Sequence, residues 1–171
     1  MRRLFALFAA FMLWPATSAF AFDLPARKPG QWELKMSFDN GAIPVQTVKQ
    51  CIDPETDKLM KTDFAGSAME SCGKQDVTRS GATLTIDSTC TMGGSSSTTH
   101  AVVTGSFDSA YTMEITSKTR GDETRMTIAA KWLGACAADQ RPGDMIMSNG
   151  MKMNVLDLKK VMPQLPKMPQ R

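Results

Sequence analysis

The side chains with chemical potential are scattered along this chain. His100 is the only histidine. It lies between Thr99 and Ala101, with no serine or cysteine nucleophile motif beside it. Nucleophilic catalysis needs a base that a third group holds in place. A single histidine in an alternating stretch therefore reads as a surface or satisfied strand residue. The carboxylates form no evident pair. Asp53 is placed as a helix cap, and Asp108 and Asp122 as turn residues. An enzyme would need two of them to meet in space, as in glycoside hydrolysis. Gly93-Gly94 is not a phosphate loop, because no G-x-x-x-x-G-K run follows. No catalytic residue and no cofactor motif can be named, and the reading leans away from an enzyme.

Two softer constellations remain. Six of the 14 methionines lie between Met145 and Met168, and Met145, Met147, Met151 and Met153 bring four thioethers close in sequence. Thioethers are soft ligands that select Cu(I). The plainer alternative is that methionine fills gaps where a C-terminal segment docks. The second constellation is aromatic. Trp32, Phe38, Tyr111 and Trp132 each fall on the apolar side of an alternating run and can line a cavity or simply form a core.

All four cysteines, Cys51, Cys72, Cys90 and Cys136, follow the N-terminal apolar run. They contain no C-x-x-C pair, so a four-thiolate metal site is disfavoured. An even count in an exported chain reads as two disulfides, with three connectivities open. A two-residue turn at Ser80-Gly81 sets Cys72 opposite Thr89. One extra residue on the returning strand, a β-bulge, brings Cys90 to Cys72. Cys51 and Cys136 then pair by elimination.

The elements that must position these residues are mostly strands. Met1-Arg2-Arg3, the apolar run Leu4 to Trp14, Pro15, and Ala19-Phe20-Ala21 read as a secretory signal cleaved after Ala21. The run is too short to span a bilayer, which takes about 20 residues. The signal takes two of the 20 basic residues and none of the 17 acidic ones, so the mature balance is +1. That argues against binding nucleic acid, which needs a basic surface. Beyond it, Trp32, Leu34, Met36 and Phe38 alternate with polar residues, and Asp39-Asn40-Gly41 signals a hairpin into Ile43 to Cys51. Asp53-Pro54-Glu55 starts a short helix to about Lys61, and Phe64 to Ser71 is loop. A meander runs from Cys72, with turns at Ser80-Gly81, Gly93-Gly94, Asp108 and Arg120-Gly121. Met151, Val155, Leu158 and Met162 then recur at helical spacing until Pro163, and the end with Pro166 and Pro169 reads as a frayed tail.

Several runs are familiar together: Lys28-Pro29-Gly30 before Trp32-Glu33, Cys51-Ile52-Asp53 opening a helix, and Cys72 and Cys90 around a Ser-Gly hairpin. Trp132 to Cys136 at a strand end and Pro142-Gly143-Asp144-Met145 complete the set. The chain resembles a family of small exported bacterial proteins known only as a domain of unknown function, number three-six-one-seven. The resemblance covers nearly the whole mature chain. It implies export, disulfides and a β fold, and it supplies no activity, substrate or catalytic residue.

The expected fold is all-β and mainly antiparallel. About seven strands form a meander that closes into a barrel or curls strongly, with one short helix after the second strand and one at the C-terminus. Residues 1–21 are the signal, 22–136 a disulfide-bonded β domain, and 137–171 a methionine-rich segment docking on it. The expected role is a periplasmic or secreted, non-enzymatic module that binds a lipophilic small molecule or an envelope component. Cu(I) handling by the methionines, and an enzyme whose carboxylates meet only in space, are the alternatives.

Overall fold

The computed structural model describes residues 24–41, 43–61, 72–92 and 94–161. The signal and its cleavage point, the loop from Phe64 to Ser71, Met162 and the proline-rich tail lie outside the described residues.

Nine strands form one sheet: β1 (Gly30–Phe38), β2 (Gln46–Ile52), β3 (Cys72–Ser80), β4 (Thr83–Met92), β5 (Ser95–Ser106), β6 (Ala110–Thr119), β7 (Asp122–Gly134), β8 (Asp144–Met147) and β9 (Lys152–Asn154). Helix α1 (Pro54–Leu59) follows β2, and helix α2 (Val155–Val161) follows β9. The order across the sheet is β3-β4-β5-β6-β7-β1-β2-β8-β9, and every neighbouring pair is antiparallel. The sheet is curled but not closed, with β3 and β9 as its edges.

One face carries the core because the side chains alternate. Trp32 stands opposite Trp132 and Leu34 opposite Ala130, while Tyr111 faces Ala130 and Val103 faces Leu84. Trp32, Ile52, Leu84, Ile86, Ala101, Val103, Tyr111 and Ala130 form one buried cluster. Threonine, lysine and glutamate fill the alternate positions, which suits a pleated surface in water. Asp53 closes a capping box on α1: its carboxylate accepts the Thr56 amide at 2.8 Å, and its own amide donates to the Thr56 hydroxyl at 3.0 Å. The Thr56 amide bond holds the Asp53 carboxyl below its ordinary value.

Two details correct the expectations. The β3–β4 turn is Gly81-Ala82 rather than Ser80-Gly81, since Ser80 pairs with Thr83 and Val77 lies opposite Ile86. The register shift falls between Cys72 and Lys74, so the bulge is in the outgoing strand, not the returning one. The two displacements cancel at Cys72, which still meets Cys90. Glycine at 81, with φ +60°, suits the first position of a two-residue turn. Val77 keeps 40% of its surface because β3 is an edge.

The second correction is at the C-terminus. Residues 144–154 form the hairpin β8–β9, so the helix expected from Met151 starts later. Gly150, with φ +81°, and the bond from the Met147 amide to the Met151 carbonyl at 2.9 Å close it. The 3.6-residue recurrence of Met151 with Val155 is a coincidence across this turn. The helix begins only where Asn154 accepts the Leu156 amide at 3.0 Å. The buried Asp144 carboxylate accepts from Asn154 at 2.8 Å and from the Arg141 amide at 3.0 Å, and it pairs with Lys152 at 3.0 Å.

Disulfides join Cys51 to Cys136 and Cys72 to Cys90. The first crosses β1, because Gln31 pairs with both Cys51 and Gly134. No helix among the described residues is long and apolar enough to cross a membrane.

Candidate functional site

The segment entering β1 builds one wall of the site. Its residues are held by backbone acceptors and by two tryptophans. The Trp32 indole donates to the Lys28 carbonyl at 2.8 Å, and the Trp132 indole donates to the Pro29 carbonyl at 3.1 Å. The Lys28 ammonium lies 3.7 Å from the centre of the Trp132 ring. Gly30 sits at φ +130°, and a Cβ there would fall 2.3 Å from the Gly134 carbonyl oxygen and 2.7 Å from the Trp132 indole nitrogen. Only glycine fits.

This entry also delivers Arg27 to α1. The Arg27 guanidinium donates from Nε to Asp57 at 2.7 Å and from Nη1 to the Gln50 side-chain oxygen at 2.8 Å. Nη2 reaches the Met60 sulfur at 3.6 Å, and the Arg27 amide also donates to Asp57 at 3.1 Å. Lys61, one turn beyond Asp57, completes the cluster at 3.0 Å. The Lys61 ammonium further donates to the Leu24 and Pro25 carbonyls at 3.1 and 3.4 Å. The side chains of Asp57, Arg27 and Lys61 are 1%, 9% and 19% exposed. Two cations thus share one carboxylate at a nearly dry position.

The cluster forms the polar end of a pocket of about 430 Å³ on the apolar face. Leu34, Phe107, Tyr111, Met113, Met145 and Val155 supply the apolar lining. Tyr111 stacks on Phe107 with ring centres 4.6 Å apart and tilts against Trp32 at 5.7 Å. Burial pushes the Tyr111 hydroxyl above its ordinary value, and the Arg27 charge opposes that rise. The phenol therefore stays protonated and can donate a hydrogen bond.

The four expected aromatic residues share one face but not one site. Tyr111 lines the pocket. Trp32, fully buried, belongs to the core behind it. Trp132 is engaged with Lys28 and Pro29, and Phe38 lies at the far end of β1 opposite Met126. Of the methionines, Met145 and Met153 are direct partners across β8–β9, and Met147 follows Met145 on the same face. Met151 projects from the turn, 55% exposed. The Met145 sulfur accepts from the Gln50 amide at 3.7 Å, beside the cationic Arg27. Among the described residues no group of three or more His, Cys, Asp and Glu side chains is placed to hold a metal ion.

Other concavities lie elsewhere among the described residues. His100 pairs with Asp87 at 2.7 Å in a shallow polar depression, and Asp76 faces Asp87 across β3–β4. His100 and Asp87 are both more than half exposed, so water screens the pair. A larger hollow of about 710 Å³ lies between residues 138–144 and α2. Four of the charged residues lining it pair with one another, Arg141 with Asp157 and Lys152 with Asp144.

Residues 27–136 match the model of the family described as Protein of unknown function (DUF3617). The chain belongs to that family. No curated protein matches it at a significant level. The DUF3617 match begins at Arg27 and ends at Cys136, the second half of the longer disulfide. It contains Arg27, Gln50, Asp57, Lys61 and Tyr111, whereas Met145 and Val155 close the pocket from outside it.

Sequence reasoning passed over Arg27, Gln50, Asp57, Lys61 and Phe107. Arg27 stood in a polar lead-in, 30 residues from its partner. The spacing of Asp57 and Lys61, four apart on a helix, was the one available signal. It does not say that this helical face turns inward.

Proposed function

We propose that this protein is an exported, non-enzymatic binding module whose ligand is a lipophilic small molecule held in the pocket between Met60-Lys61, just after α1, and the apolar face of the sheet. The observation that carries the reading is the pocket itself. Its volume falls inside the range of about 300–1,000 Å³ typical of small-molecule sites, and its lining is apolar and aromatic with a few convergent polar groups. Two disulfides, with no free cysteine among the described residues, support an oxidising compartment, periplasmic or extracellular. No carboxylate pair lines the pocket, and Asp57 is taken up by Arg27 and Lys61, which favours binding over catalysis.

Uptake of the neutral fluorescent probe N-phenyl-1-naphthylamine tests the reading. The folded protein is expected to enhance its emission at one site per chain, and Met113→Trp, which fills the pocket, is expected to abolish the enhancement. Emission no higher than in buffer, or equal in parent and variant, refutes the pocket as the binding site.

A further inference from the structure

We propose that the ligand is a lipophilic monoanion, its carboxylate seated against Arg27 at the polar end of the pocket. This rests on the binding role proposed above and names the chemistry of what is bound. The argument is a charge and donor inventory. Arg27 and Lys61 bring two positive charges to a nearly dry position, and Asp57 supplies one negative charge. The remaining unit of positive charge costs free energy while it stays unneutralised. It sits at the end of an apolar chamber, where attraction to an anion is screened less than in water.

The hydrogen-bond donors point the same way. Lys61 spends its three donors on Asp57, Leu24 and Pro25, so it contributes field rather than contact. Arg27 has five donors. Nε goes to Asp57 and one Nη1 hydrogen to Gln50, both at good distances. One Nη2 hydrogen meets the Met60 sulfur at 3.6 Å, a weak acceptor, and the guanidinium also hydrogen-bonds the neutral Tyr111 hydroxyl. A carboxylate oxygen is a far stronger acceptor. The Tyr111 hydroxyl lines the same pocket as a neutral donor. Apolar walls with a cationic end suit a carboxylic acid with a hydrocarbon body, and they disfavour a cation or a fully polar anion.

Competition against N-phenyl-1-naphthylamine at pH 7.5 compares decanoate with 1-decanol, which differ only in the head group. Decanoate is expected to displace the probe at a concentration at least tenfold lower than 1-decanol. Lys61→Gln is expected to cut that preference below threefold, with an unchanged far-UV circular dichroism spectrum reporting an intact fold. Equal displacement by both compounds overturns the anion site and leaves the lipophilic pocket standing. A preference fully retained in Lys61→Gln also overturns it, because the anion then lies elsewhere. Failure of the probe to bind at all removes the binding reading itself.

Discussion

Removing the bond that crosses β1 is expected to cost more than removing the one at the edge hairpin. The perturbation is Cys51→Ala with Cys136→Ala, compared with Cys72→Ala with Cys90→Ala. The two bonds join residues 85 and 18 positions apart. In the chain-entropy model a bond stabilises by restricting the unfolded chain, and loops of these lengths correspond to about 4.6 and about 3.2 kcal/mol. Packing widens the gap. Cys51 is fully buried beside Ile52, whereas Cys90 is half-buried near the edge strand β3. For a domain of this size each kcal/mol lowers Tm by about 2–4 °C, so the expected losses are about 9–18 °C and about 6–13 °C. Thermal unfolding followed by far-UV circular dichroism, without reductant, reads both. Equal losses, or a larger loss at the hairpin, would refute the loop-length argument and locate the stabilisation in the native hairpin.

Three further outcomes are expected. Gly30→Ala should destabilise by about 2–5 kcal/mol, since it combines a positive φ with overpacking against Gly134 and Trp132; an unchanged urea midpoint would show that the β1 entry is not as tight as described. Asp57→Asn should cost about 3–5 kcal/mol by leaving Arg27 and Lys61 without their shared carboxylate; a loss under 1 kcal/mol in urea would mean that water reaches the cluster. Burial pushes the Asp144 carboxyl up, but the Arg141 amide, Asn154 and Lys152 outweigh it, and its net shift is downward. Its stabilisation is therefore complete above the ordinary value of 3.8 and drains away as pH falls below it; Asp144→Asn should flatten the acid limb of a stability–pH curve, and an unaltered limb would contradict that linkage.

Much of the sheet was legible in the chain because one face is buried and the other is wet. Trp32, Leu34, Met36 and Phe38 show the period of two, and so do Tyr111, Met113 and Ile115. Register was less legible. Gly81 can occupy either central position of a two-residue turn, and a bulge leaves no mark in a run such as Cys72-Gly73-Lys74. The meeting of Cys72 with Cys90 survived because the moved turn and the moved bulge displace the register by two residues each, in opposite directions. The hairpin β8–β9 stayed hidden since four-residue and three-residue strands are too short to show a period, and Met151 with Val155 mimic a helical one. The polar end of the pocket was invisible for a different reason. Arg27, Gln50 and Asp57 come from three separate elements, and nothing local in a chain announces a contact across 30 residues.

The residues that make the family resemblance recognisable are almost all occupied in building the frame. The Lys28 and Pro29 carbonyls accept the two indoles, Gly30 admits Gly134, Trp32 fills the core, and the cysteines are bonded to one another. Side chains already committed in this way have no capacity left for a ligand. Free capacity lies one shell away, in the outer edge of the Arg27 guanidinium, beside a thioether, and in a protonated phenol, both lining an apolar pocket. The frame also reaches across the pocket: the Lys28 amide donates to the Phe107 carbonyl at 2.9 Å, tying the residue next to Arg27 to one that lines the pocket. Under the proposed binding role, a frame fixed in this way lowers the cost of ordering the site when a ligand enters.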